Sequence, residues 1–338
     1  MDGLNTRRIV LLGKTGAGKS SLANTIFGEA TFKINHFNDL KTHFCEAETK
    51  SVNGRSITLI DTPGFFDPGR SEEDMKPEMV RCITECAPGP HAFLIVLKVE
   101  KFTEQEKAVI TKMCEYFSED AFKYAAVVLT QGDQLPEGMT IEEFVNESEH
   151  MSDLVKKCGG RCHVVDNKYW KIKQQDEYRS NQFQVAELLN TIDKIVLENN
   201  GGYYTNEMLQ TVEREIQKEE ECIRLSSGNM TQEEIRQQAK SRVLEKHLNK
   251  APRTWIRAFV GLAIIAGLLA TVLKSTFMKV LTEVYHITPL ATVVDEQIAK
   301  TARVSPPVSA IEKVVEVAIT PVEAIQKTFD AVLNKLYD

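Results

Sequence analysis

The sequence has no surplus of positive charge. Lysine and arginine total 41 against 48 acidic residues, a formal net charge of −7, and no arginine-rich arm is present. That excludes the electrostatic footprint of a protein that tracks a phosphodiester backbone, so no nucleic-acid partner is expected. The seven cysteines are odd in number and scattered. They suit reduced thiols in a cytosolic protein better than a disulfide framework. Cys158, Cys162 and His163 lie close together, but no second ligand pair at zinc spacing follows them, so buried thiols are expected there. The opening Met1-Asp2-Gly3-Leu4 runs almost directly into an apolar segment and leaves no room for a signal peptide. At 338 residues and 42% hydrophobic content, two or three regions with an ample core are expected.

What is present is a glycine-rich octapeptide near the start, Gly13-Lys14-Thr15-Gly16-Ala17-Gly18-Lys19-Ser20. The apolar run Ile9–Leu12 precedes it, and Ser21–Phe27 reads as the opening of a helix. Strand, glycine-rich loop and helix in that order form a phosphate-binding loop, with N–H groups turned inward and a helix N-terminus facing the anion. Lys19 would reach the β- and γ-phosphates, and the Ser20 hydroxyl would ligate Mg²⁺.

Asn53-Gly54 between segments 43–51 and 56–61 predicts a hairpin. Its second strand ends at Asp61-Thr62-Pro63-Gly64. An acidic residue there, some forty residues after a phosphate loop, holds Mg²⁺ through water in nucleotide hydrolases. Gly64 would bring its N–H to the γ-phosphate. Thr42 is the candidate for a second hydroxyl on Mg²⁺, with Thr31 and Thr49 as alternatives. Phe93–Leu97 and Ala125–Thr130 read as strands buried on both faces. Thr103 with Glu106, and Thr140 with Glu143, read as capping boxes opening helices over 103–117 and 140–157. After the second buried strand comes Thr130-Gln131-Gly132-Asp133, close to the Asn/Thr-Lys-x-Asp guanine motif. The Asp133 carboxylate can accept from both N1–H and the 2-amino group of guanine; adenine would leave it desolvated and unpaired. A short strand 162–165 then brings Asn167 to the same end of the sheet. Strands alternating with helices make a doubly wound, mostly parallel α/β sheet with one antiparallel hairpin strand.

With Pro88-Gly89-Pro90-His91-Ala92 and Lys157-Cys158-Gly159-Gly160-Arg161, these motifs resemble the immunity-associated nucleotide-binding GTPases, the GIMAP or IMAP family, relatives of Toc GTPases and of septins. The resemblance covers 4–205 and implies a P-loop GTPase domain that binds GTP or GDP with Mg²⁺. It further implies a homodimer, or a pair with related family members, formed through the nucleotide face at a cytosolic membrane surface. It assigns the nucleotide to Gly13 through Ser21, Gly64, Thr130, Gln131, Asp133 and Asn167, and the metal to Ser20, Thr42 and Asp61. Gln131, Asp166 and Lys101-Phe102-Thr103 depart from the common family wording. Phe65 stands where Ras-like enzymes place a water-positioning glutamine. Slow intrinsic hydrolysis is expected, no catalytic residue is assigned, and the alternative is a turnover GTPase activated by its dimer or a partner. A P-loop ATPase or kinase is the third reading.

The remainder divides into a charged helical extension (206–250), a hydrophobic segment (251–280) and an amphipathic helical tail (281–338). In the extension, Met208, Leu209, Val212, Ile216 and Ile223 form an apolar stripe beside a run of glutamates, either packing on the preceding domain or forming a short coiled coil. Residues 258–273 carry no charge over sixteen positions, close to the ~20 residues that span a bilayer. Residues 255–274 are the candidate membrane contact, with a buried helix as the alternative. Ser/Thr-Pro pairs at 288, 305 and 320 open three amphipathic segments, which would lie on a membrane or pack as a bundle.

Overall fold

A computed structural model describes residues 6–34, 45–62, 72–170, 177–226 and 230–249. Thr42, Gly64, Phe65, segment 255–274 and the tail 281–338 lie outside them. Six strands form one sheet in the order β2-β3-β1-β4-β5-β6. They are β1 (Thr6–Leu12), β2 (Glu46–Val52), β3 (Arg55–Asp61), β4 (Ala92–Lys98), β5 (Ala125–Thr130) and β6 (Cys162–Val164). Only β2 runs antiparallel, in a hairpin with β3. Asn53 and Gly54 both take positive φ, 49° and 76°, which is the backbone a two-residue hairpin turn requires.

The strand period of two divides the core by face. On β1, β4 and β5, Val10, Phe93, Ile95 and Val127 join one cluster, whereas Ile9, Leu11, Leu94 and Val128 join the other. Helices α1 (Lys19–Phe27) and α6 (Asn181–Glu198) cover the second. The first lies under α2 (Glu72–Cys86), α3 (Glu104–Phe117), α4 (Ile141–Asn146) and α5 (Glu149–Lys157), and includes residues of α7 (Glu207–Ser226) and α8 (Gln232–Asn249).

Both capping boxes form at the predicted positions. The single helix expected over 140–157 is two: α4 stops at Asn146, and Ser148 caps α5 by accepting from the Met151 N–H at 3.4 Å. The apolar spacing explains the break. Ile141 and Val145 sit one turn apart, but the next buried position, Met151, is six residues on, out of phase with a 3.6-residue turn.

The apolar stripe of α7 packs against α2 and α8, which resolves the choice between domain packing and coiled coil in favour of packing. The glutamate run is not merely a solvated face. Glu213 and Glu220 hold Arg236 at 2.7 and 2.9 Å, and Lys240 reaches Glu85 of α2 at 3.0 Å. Among the described residues, no helix is long and apolar enough to cross a membrane.

Candidate nucleotide site

The phosphate loop lies between β1 and α1. Gly18 takes the left-handed conformation (φ 91°, ψ 24°) directly before α1, a conformation that favours glycine. The Lys19 ammonium folds back across the loop, donating to the carbonyls of Gly13 (2.8 Å) and Lys14 (3.0 Å). The Ser20 hydroxyl donates to Asp61 Oδ2 at the end of β3. Ser20 of α1 and Asp61 of β3, two of the three expected metal ligands, therefore meet at one point. Thr62, two residues before Gly64, donates to Leu11 O at 2.5 Å and holds that strand end against β1.

Thr130 ends β5, and Gln131 and Asp133 follow it. The Thr130 hydroxyl donates to Ala17 O (2.7 Å) and Leu97 O (3.1 Å), tying the base-reading loop to the phosphate loop. Asn167 accepts from the Thr25 hydroxyl at 2.9 Å through Oδ1. A cleft of about 410 Å³ is lined by Gly16, Gly18, Ser21, Gln131, Asp133 and Asn167, with Tyr169 on its border. The expected nucleotide ligands within the described residues thus share one concavity or its phosphate-loop wall.

Three expected residues need qualification. The Lys14 side chain pairs with Glu106 (2.6 Å) in the first turn of α3 and with Glu100 (3.0 Å) in the loop before it, so only its backbone is placed for phosphate. Thr49 lies 2.8 Å from the Thr58 hydroxyl across the hairpin. Thr31 retains a buried hydroxyl without a hydrogen-bond partner among the described residues.

Sequence reasoning saw Asp166 only as a departure from the family wording, and missed its role. Buried at 1% exposure, its Oδ1 accepts from the N–H groups of Lys168 (2.8 Å), Tyr169 and Trp170 (3.4 Å), and its Oδ2 from that of Asp133 (3.3 Å). Burial raises its carboxyl pKa, but the bonds from Tyr169, Asp133 and Lys168 outweigh this and hold it below the usual range. Asp133 moves the other way: burial and then the neighbouring Asp166 push it up. Trp170 was missed as well. Its indole lies 2.6 Å from where a Cβ on Gly132 would stand, which explains glycine within the Thr130–Asp133 motif. The only sequence signal for it was the clustering of Tyr169 and Trp170 after Asn167.

The proline–histidine box lies away from this cleft, at the other end of β4. Arg8 N–H donates to His91 Nδ1 at 3.0 Å, and the Tyr204 N–H donates to Pro90 O at 2.9 Å. A Cβ on Gly89 would stand 1.8 Å from Tyr204 O. The box is therefore the seat of segment 203–205, which leads into α7. His163, on β6, lies 2.9 Å from the Thr191 hydroxyl through Nε2, in agreement with its placement in a strand. Burial pushes the Cys158 thiol up to about 12 and also raises Cys162, which disfavours the thiolate form of both.

The family model of the AIG1 family matches residues 7–223. The chain belongs to the AIG1 family. Among curated relatives, immune-associated nucleotide-binding protein 9 of Arabidopsis thaliana is 32% identical over 62% of this chain and 60% of its own length. Protein 8 of the same series is 34% identical over 67% and 64%. GTPase IMAP family member 8 of Rattus norvegicus is 32% identical over 60% of this chain but 28% of its own length. The chain thus spans less than two thirds of the length of each of these relatives. Among solved structures, Toc33 from Arabidopsis thaliana in complex with GDP and Mg²⁺ aligns with a TM-score of 0.46 and 19% identity, over 57% of this chain and 85% of that one. That likeness is too loose to bear on the AIG1 site.

Proposed function

We propose that this chain binds GTP and GDP with Mg²⁺ as a nucleotide-controlled switch or scaffold. One observation carries the reading: a single cleft of about 410 Å³ joins the phosphate-loop glycines to Asp133 and Asn167. Asp133 selects guanine because its carboxylate matches two adjacent donors that adenine lacks. Asn167 is held at the same cleft by Thr25. The Ser20–Asp61 contact fits a divalent cation, whose charge, when bound, offsets that of the phosphates. The names of the AIG1 relatives, nucleotide-binding proteins and a GTPase, agree with this reading.

Hydrolysis is slow in this proposal, because Phe65 offers no group to position water. The G domain dimerises through its nucleotide face, as the family resemblance implies, and residues 255–274 tether the chain to the cytosolic face of an intracellular membrane. The decisive test is nucleotide binding by the purified chain. GDP should bind and ADP should not compete at similar concentration. Asp133→Asn should weaken GDP by about 100-fold, since two charge-assisted bonds to the base, each worth ~1.5–3 kcal/mol, give way to at most one neutral bond with an amide donor facing the 2-amino group. The same variant should improve binding of xanthosine diphosphate, whose 2-oxo group accepts from an amide. ATP displacing GTP at parity would refute the assignment. Rising turnover with protein concentration would favour the dimer-activated enzyme instead. Release of the full chain by carbonate extraction would remove the membrane tether.

A further inference from the structure

We propose that Tyr169 is the stacking platform for the nucleobase, an inference that rests on the guanine-nucleotide reading above. Its backbone is fixed on both sides. The Asp166 carboxylate takes the N–H groups of Lys168, Tyr169 and Trp170 in succession. Trp170 is buried at 3% exposure against Gly132. Between these anchors the Tyr169 side chain is 51% exposed and borders the cleft that holds Gln131 and Asp133. An aromatic ring fixed at its backbone and open on the rim of a base-sized cleft can receive a base at little ordering cost.

Two neighbours strengthen the assignment. The Lys168 ammonium lies 4.7 Å from the Tyr169 ring centroid, over one face. That cation–π contact helps to hold the ring in place, and Lys168 lines the same cleft. Gln131, in the left-handed conformation (φ 61°), replaces the lysine of the familiar guanine motif and offers a shorter stem to cover the base. Tyr169 supplies the cover that this shorter side chain gives up. Stacking is indifferent to the hydrogen-bonding edge of the base, so Tyr169 sets affinity while Asp133 sets identity.

The experiment is calorimetric titration of the full chain with GDP and inosine diphosphate, the latter lacking the 2-amino group. Loss of one base stack predicts about ten-fold weaker binding of both ligands by Tyr169→Ala, with their ratio unchanged. Tyr169→Phe should stay within about two-fold of wild type, because the ring and not the hydroxyl makes the stack. Asp133→Ala should instead bring the two ligands together, since it removes the acceptor of the 2-amino group. Because Tyr169 is exposed, the ligand-free Tyr169→Ala protein should melt with wild type. Wild-type binding with an indifferent Tyr169→Ala overturns the stacking role alone, as does a changed GDP-to-inosine ratio. A wild type that binds no GDP overturns the nucleotide reading and this inference with it.

Discussion

His91 and His163 are both held neutral by the fold. Burial, with the nearby Arg8 and Arg7 charges, lowers His91 to about 3; burial lowers His163 to about 4. A group whose basicity is depressed on folding takes up its proton only when the chain unfolds. Stability from this source is complete above about pH 6.5 and falls as pH drops towards the folded values, by about 1.4 kcal/mol per pH unit for each histidine. Urea unfolding at pH 7.5, 6 and 5 should show this decline. His91→Asn keeps an acceptor for the Arg8 N–H without a titrating ring, and should remove about half of the slope. Residues whose placement is local were legible in the sequence. The phosphate loop, Asp61 and the Thr130–Asp133 turn each carry their meaning within a few positions. Lys14–Glu106 and the Asp133 N–H on Asp166 were not, because these partners lie 92 and 33 positions apart and meet only once β1, β4, β5 and β6 align.

At the scale of elements, capping boxes and the Asn53-Gly54 turn gave correct starts because side chain and backbone meet within four residues. The division of 140–157 was legible only in the phase slip between Val145 and Met151. Gly132 shows how one element constrains another. The turn after β5 passes so close to the Trp170 indole that a methyl group has no room. Gly132→Ala should therefore destabilise the chain by about 2 kcal/mol, in line with overpacking elsewhere. Trp170 fluorescence should shift as the ring is displaced, and GDP binding should weaken with it, since Asp133 and Tyr169 ride on the same two turns. An unchanged denaturation midpoint would show that the indole moves aside freely.

For the molecule as a whole, the interlocked hairpin of α7 and α8 matters most. Arg236 is bound by Glu213, Glu220 and the Ala87 carbonyl, and Lys240 by Glu85 and its carbonyl. Arg236→Ala strands two largely buried carboxylates; discounted for the partial exposure of the guanidinium, the loss should be about 2 kcal/mol in urea unfolding. A wild-type midpoint would mean that the ions merely fill a surface seam. The motifs that carry the resemblance end near 205, but the family model runs on to 223 and α8 beyond it also shares the core. Leu209, Val212, Ile216, Ile223, Ile235 and Val243 are all buried in the cluster that contains α2 and the sheet. The consequence is practical. A polypeptide cut after residue 205 would keep every described residue of the candidate nucleotide site yet expose the greasy back of α2, and should precipitate or bind detergent on expression. One cut after 249 should stay in solution, and trypsin should spare the exposed lysines and arginines of α7 longer than its charged sequence suggests.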